Sequence, residues 1–259
     1  AKKVAQSINL EGNIVETNYD NFIKDLDEII FYLESGHSSP AIIPLMQLTK
    51  YAKGKVKVLL EGQGADELLG GYILNSFWPA SFDLLKKGNL IEVFKGINSL
   101  GENFNQTYAL KMFLRDLSNE VKTISTLNQR IKGLHKIYGD ALRIFKKEKD
   151  YPSLIDEGGN SYLGQSLRKS HSGGLVNLLH YGDALTMANS IESRCPFLDY
   201  RLVEYAWSLP SEYKVRFAMG KYLHRKSMRN IVPNEILNQK IKYGFNTPIS
   251  EIFKNKKYI

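Results

Sequence analysis

The 259-residue sequence contains one cysteine, Cys195, so no disulfide can form within the chain and a disulfide-stapled fold is excluded. Such cysteine usage suits a reducing compartment. No stretch approaches the ~18–20 apolar residues of a membrane-spanning helix, and Ala1-Lys2-Lys3-Val4-Ala5 leads into polar residues without a signal-peptide core. The expectation is a soluble, cytoplasmic protein without a membrane partner. Internal repeats and low-complexity tracts are also missing. Acidic residues are outnumbered, with 27 Asp and Glu against 35 Lys and Arg, for a net charge of +8. That mild basic excess suits phosphate or nucleic-acid partners, and solubility explains it equally well. Lys111–Lys149 holds ten Lys and Arg against four Asp and Glu, and it reads as a solvated helical face rather than a nucleic-acid site.

Hydrophobic residues make up 43% of the chain, and a folded chain of this length hides roughly 70–75% of its unfolded surface, enough for a full core. A helix-like piece at Val4, Ala5 and Ile8 precedes a strand-like one at Asn13–Thr17, a beginning that reads as a chain cut inside a domain. Phe22, Ile23, Leu26, Ile29, Ile30 and Leu33 recur at helical spacing behind Asp20, which predicts a helix over 21–34 capped by that aspartate. Ser39-Pro40 opens a second helix, and Val56–Leu60 reads as a short apolar strand running into glycines. Helix, strand, glycine loop and helix in succession point to an α/β fold. The pattern is helical from Asn75 to about Ile144, a loop follows over Tyr151–Gly159, and helices resume at Leu175–Ser190, Asp199–Ser208, Lys221–Asn230 and Pro233–Asn238.

Three blocks carry candidate chemistry. Glu61-Gly62-Gln63-Gly64-Ala65-Asp66-Glu67-Leu68-Leu69-Gly70-Gly71-Tyr72 follows the apolar strand, where open α/β sheets bind ligands. Its glycines allow backbone N–H groups to approach phosphates. It matches neither the dinucleotide GxGxxG fingerprint, because Glu67 takes the third glycine's place, nor the Walker pattern. Two acids there would repel bare phosphate unless a carboxylate such as Asp66 holds Mg²⁺; a tight turn with capping acids is the alternative. The second block, Gly182–Asp199, brings together Asp183, Glu192 and Arg194, which read either as a site or as an ion pair beside a helix cap. The third, Gly220–Lys226, offers Lys221 and Arg225 at a helix start, suited to an anion or simply facing solvent.

Together these blocks resemble the synthetase domain of the glutamine-dependent asparagine synthetase family. The family's loop, its Asp-x-x-x-Met-x-x-Ser-x-Glu-x-Arg-x-Pro-Phe-Leu-Asp block and its Lys-Tyr-x-x-Arg-Lys block correspond to Glu61–Tyr72, Asp183–Asp199 and Lys221–Lys226. Leu237–Lys240 and Gly244–Pro248 look familial as well. The resemblance implies an adenine-nucleotide α-hydrolase-like parallel sheet with a large C-terminal helical portion. It divides the chain into a remnant of the nucleotide-binding core over 1–74, a variable helical segment over 75–170 and a helical part carrying active-site blocks over 171–259.

The activity implied is an ATP-dependent amide ligase: a carboxylate attacks the α-phosphate of ATP, pyrophosphate leaves with Mg²⁺, and ammonia from glutamine converts the acyl adenylate to an amide. Glu61, Gly62 and Gly64 would meet ATP together with Lys221 and Arg225, and Asp66 with Glu67 would hold Mg²⁺. Gln63, Asp66 and Lys221 would serve catalysis, and Asp183, Glu192 and Arg194 the substrate. Three departures stand out. The family's Ser-Gly-Gly-x-Asp-Ser pyrophosphate loop is not found, because Ser172-Gly173-Gly174 lacks the following Asp-Ser. The glutaminase part with its N-terminal cysteine nucleophile is not found either, which reads as a partial enzyme whose missing parts are its partners. Gln63 replaces the loop glutamate, and an amide cannot serve as general base near neutral pH although it can orient a substrate. Aspartate is the first expected substrate, another carboxylate such as a sugar acid the second, and an inactive nucleotide-binding fragment the third.

Overall fold

The computed structural model describes residues 2–35, 39, 41–104, 161–239, 247, 248, 252 and 254. The basic segment 111–149 and the loop expected over 151–159 lie outside them. Helix α1 covers Lys2–Ser7, α2 Phe22–Leu33 and α3 Ile42–Ala52. Strand β1 is Val58–Leu60, followed by α4 (Ala65–Leu69), α5 (Ile73–Lys86) and α6 (Leu90–Phe104). Then come α7 (Tyr162–Ser172), α8 (Gly174–Met187), strand β2 (Glu192–Arg194), a 3₁₀ turn at Pro196–Leu198, α9 (Tyr200–Ser208), α10 (Ser211–Lys214), α11 (Tyr222–Ser227) and α12 (Asn234–Leu237). The result is a helix-dominated mixed α/β arrangement with, among the described residues, one small parallel sheet.

The 3.6-residue spacing seen in the sequence puts Phe22, Ile29 and Leu33 of α2 on one face, where they meet Ile42, Ile43 and Met46 of α3 and Tyr181 and Leu185 of α8. Ile29 and Leu185 are fully buried, each worth roughly 1.5–3 kcal/mol of transfer free energy. Polar groups inside this cluster are satisfied: Asn189 Nδ2 donates to Thr49 Oγ1 at 3.0 Å and to the Leu185 carbonyl at 3.2 Å. A second cluster joins Phe77 and Trp78 of α5, Leu100 of α6, Leu163 and Leu167 of α7, and Val215. A third packs Leu68 and Leu69 of α4 on Val203 and Ala206 of α9.

Two expectations are corrected. Asn13–Thr17 joins no ladder; without a partner strand to pair its backbone it runs as largely exposed coil. The cap of α2 falls on Asn21 rather than Asp20, because the chain reaches helical geometry one residue later. Asp199, by contrast, caps α9 as expected, accepting from the Arg201 N–H at 3.0 Å.

The sheet positions everything that follows. β1 and β2 run parallel in the register Val58↔Glu192, Leu59↔Ser193 and Leu60↔Arg194. The ladder ends where the Glu61 N–H donates to the Arg194 carbonyl at 2.8 Å. The carboxyl ends of both strands therefore open side by side, one into Glu61 and the other into Cys195.

Candidate active site

At the end of β1 the chain turns through Glu61–Gln63 and enters α4 at Gly64, which has φ 86°. Asp66 and Glu67 fall in the first turn of that short helix, and their side chains diverge. Glu67 is buried and accepts from the Tyr72 hydroxyl at 2.9 Å. Burial, then the Glu67 charge and hydrogen bond, push the Tyr72 phenol far above its ordinary range. Asp66 turns the other way, and its Oδ1 lies 2.9 Å from Lys221 Nζ.

The pair depends on two backbone segments touching. The Lys221 N–H donates to the Leu69 carbonyl at 3.0 Å, and Lys221 itself has φ 55°. A Cβ on Gly220 would strike the Gly70 carbonyl oxygen, and a Cβ on Gly71 would strike Asp66 Oδ1 and lie 2.5 Å from Lys221 Cε. Glycine at these positions is thus a requirement of close approach, not of turn geometry.

Arg225 anchors the second segment from behind. Its Nε donates to the Gly220 carbonyl at 2.9 Å, and Nη1 reaches the carbonyls of Leu237 at 2.6 Å and Gln239 at 2.9 Å. These donors are spent on backbone. Burial holds the guanidinium pKa below its ordinary value, opposed by the Asp66 charge. His224, stacked edge-on against Phe197 at 5.3 Å, is likewise depressed, by burial first and then by Lys221 and Arg225.

A cavity of about 170 Å³ lies next to the loop, lined by Glu61, Gln63, Gly182, Asp183, Ser193 and Cys195. Ser193 Oγ donates to Glu61 Oε1 at 2.8 Å, tying the two strand ends together through side chains as well as backbone. Burial and the Glu61 charge raise the Cys195 thiol pKa, so this sulfur is not an activated nucleophile.

Comparison with known proteins adds the decisive observation: the Asparagine synthase family profile matches residues 1–258. The chain belongs to the asparagine synthase family. Among its relatives, "Asparagine synthetase [glutamine-hydrolyzing] 1" of Bacillus subtilis is 29% identical over 269 residues, covering 99% of this chain and 41% of that protein. "Asparagine synthetase [glutamine-hydrolyzing] 2" of the same organism is 26% identical over 216 residues, covering 78% of this chain and 24% of that protein. "Amidase chry2" of Gibberella zeae is 34% identical over 279 residues, covering 92% of this chain and 39% of that protein. The chain thus spans about two fifths or less of the length of each of these relatives.

Set against the residues singled out from sequence, the structure of this family member brings Glu61, Gln63 and Asp183 to one cavity and Asp66 and Lys221 to one ion pair. It separates others. Glu67 faces the interior, and Glu192 and Arg194 pair with each other on the exposed face of β2, Nε to Oε1 at 2.7 Å. Among the described residues no cluster of three His, Cys, Asp or Glu is arranged to hold a metal, and no helix is long and apolar enough to cross a membrane. Sequence reading missed Ser193, whose place on the inner face of β2 follows from strand alternation between two charged neighbours. It also missed Gly71 and Gly220, whose contact joins residues remote in the chain.

Proposed function

We propose that this chain is the synthetase portion of an ATP-dependent amide ligase that activates a carboxylate as an acyl adenylate and passes it to ammonia released from glutamine. The observation that carries the reading is the Asp66–Lys221 pair held beside a glycine loop at the carboxyl end of a parallel strand. An adenine-nucleotide α-hydrolase-like sheet extending from β1 and β2 fits this placement, as does the division into a nucleotide-binding part over 1–74, a variable helical segment over 75–170 and a site-bearing helical part over 171–259.

Each residue then has a task. Glu61, Gly62 and Gly64 shape the turn whose backbone approaches ATP. Lys221 supplies positive charge to the phosphates as negative charge develops during adenylate formation. Arg225 positions Lys221 by holding the Gly220 carbonyl. Asp66 is the acid that suits Mg²⁺, since one carboxylate plus phosphate oxygens is a common set for that ion, and Glu67 supports the loop through Tyr72. The ion would supply charge neutralisation to the departing pyrophosphate. Gln63 orients the acceptor carboxylate by hydrogen bonding, and Asp183 at the cavity rim meets the rest of the acceptor.

Aspartate is the first acceptor to test, given the relatives' names. Gln63, an amide in place of a carboxylate, favours a second reading in which another carboxylate, such as a sugar acid, is amidated. A chimera carrying this chain in place of the matching segment of Bacillus subtilis asparagine synthetase 1 tests both. ATP–pyrophosphate exchange stimulated by aspartate supports the first, and stimulation by a sugar acid alone supports the second. Absence of exchange with every carboxylate, in a folded chimera, refutes the ligase reading and leaves an inactive nucleotide-binding unit.

A further inference from the structure

We propose that Glu61 is the catalytic base of the amide-forming step and that Ser193 positions it for that task. The inference rests on the ligase reading above and adds a residue to it. Amide formation makes a demand that adenylate formation does not. The nitrogen lone pair of ammonia bonds to the acyl carbon, the bond from that carbon to the AMP oxygen breaks, and AMP leaves with the electron pair. The nitrogen must then give up one proton to become a neutral amide, and a group beside the acyl carbon has to take it. Gln63, which in that reading orients the acceptor in the cavity, is a side-chain amide and cannot take up a proton near neutral pH.

Glu61 lines the same cavity, and its carboxylate is placed by two other wall residues. Oε1 accepts from Ser193 Oγ at 2.8 Å, and a Cβ built on Gly182 would lie 3.9 Å from Oε2. The carboxylate itself, not merely its stem, therefore belongs to the wall. Among the described residues no donor meets Oε2, and no Lys, Arg or His lines the cavity, so this oxygen is not committed to an ion pair. The other wall groups are poorer acceptors of a proton. Cys195 is held as the thiol, since burial and then the Glu61 charge raise its pKa. Ser193 acts here as a donor, and Asp183 is exposed at the rim.

Ser193 acts through Glu61 rather than on the substrate. It stands in β2 opposite Leu59, and strand alternation turns it away from the exposed pair Glu192 and Arg194. A strand thus supplies the hydroxyl that pins one carboxylate oxygen and leaves the other beside Gly182, the kind of rigid support a proton-transfer group needs. The transferred proton goes to Oε2 and passes to water when the amide leaves. The backbone of Glu61 stays part of the turn that approaches ATP, so one residue serves both half-reactions through different atoms.

The two half-reactions separate these roles. In the chimera introduced under the proposed function, ATP–pyrophosphate exchange reads adenylate formation, and amide made from ammonium chloride reads the second step without glutamine hydrolysis. The acceptor is whichever drives exchange there, aspartate or a sugar acid. Glu61→Gln keeps the shape of the side chain and should lower amide formation ~10²-fold or more beyond any change in exchange, the scale of losing a general base. Ser193→Ala should lower the ratio of amide formation to exchange ~fivefold or more, and Ser193→Thr, which keeps the hydroxyl, should bring it back within about twofold of the parent. Asp183→Asn should move both steps together. A ratio in Glu61→Gln within about threefold of the parent overturns the proposal while leaving the ligase reading in place. Selective loss of amide formation in Asp183→Asn instead of Glu61→Gln overturns it too. If Glu61→Gln does not fold, Ser193→Ala decides: a parental ratio there, or a loss that Ser193→Thr does not repair, ends the assignment. Absence of exchange with every carboxylate in the folded parent chimera refutes the ligase reading itself, and this proposal with it.

Discussion

Lys221 Nζ sits 2.9 Å from Asp66 Oδ1, and the pair occupies the space that a side chain on Gly71 would fill. With the lysine side chain 25% and the aspartate 16% exposed, the contact is shielded enough to matter electrostatically. Here each group satisfies the other; in the proposed reading, a bound nucleotide gives each a separate charge to meet.

Gly71→Ala should therefore act on both residues at once. The added methyl displaces Asp66 and Lys221, and overpacking of this kind costs about 1–3 kcal/mol. In the chimera described above, ATP–pyrophosphate exchange should fall by more than the single effect of Lys221→Ala. Exchange within about twofold of the parent would show that the pair tolerates rearrangement.

Lys221→Ala should lower the rate of pyrophosphate release by ~10²–10³, the scale of removing one charge partner from a transition state. Stopped-flow detection of pyrophosphate in the chimera measures this. An ordinary surface lysine would give less than about a threefold change.

Asp66→Asn keeps the size of the side chain and removes its charge. Exchange should be lost while the thermal midpoint stays within a few degrees, because the part-exposed ion pair contributes only ~1 kcal/mol. A variant with parental exchange over a magnesium titration would remove Asp66 from the metal-holding role.

Leu185→Ala opens a hole between α2, α3 and α8 and should destabilise the chain by about 2–5 kcal/mol. Urea unfolding followed by circular dichroism reads the shift in midpoint. A loss under ~1 kcal/mol would mean that the three helices close over the gap.

Lys214 gives a pH signature. Its folded pKa of about 8 lies below the ordinary lysine value of 10.5, so between these limits the unfolded chain binds a proton that the folded chain does not. Stability from this group is therefore lowest below pH 8 and recovers as pH rises toward 10.5, by a total on the order of 3 kcal/mol. The charged groups that act on it are Arg168 from α7, which lowers its pKa, and Asp83 from α5, which raises it. The difference in unfolding free energy between the parent chain and Lys214→Met, measured from pH 7 to 9.5, should shrink steadily. A flat difference would show that Lys214 is ordinarily solvated.

Much of the local structure could be read from the sequence because it is local physics. The stripe Phe22, Ile29, Leu33 announced α2, and the apolar run before Glu61 announced β1 and its loop. Asp199 announced the cap of α9. What escaped was long-range. The same two acids, Asp66 and Glu67, look interchangeable along the chain, yet one meets Lys221 and the other Tyr72 because α4 points them in different directions. Arg225 read as a candidate phosphate ligand, since nothing near it in sequence reveals the carbonyls of Leu237 and Gln239 that use its donors. The helix over Tyr162–Ser172 falls between the stretches whose spacing reads as helical, which end near Ile144 and resume at Leu175; its N-terminus is held by Asp83, an acid from a different helix.

The crossing of Gly70–Gly71 with Gly220–Lys221 also bears on how such a chain can change over evolutionary time. Gly220 lies against the backbone of Gly70 and Gly71, so at the point of contact neither segment has a side chain with which to absorb a shift in the other. A replacement that bulges one segment must be answered at the other in the same lineage, and recombination that imports only one of them brings together halves that were never fitted. Variation in this neighbourhood is thus expected to be inherited as a unit, whereas at Gly182 in the wall of the cavity next to the loop an added Cβ would meet only Glu61 Oε2, at 3.9 Å, and leaves room for independent change.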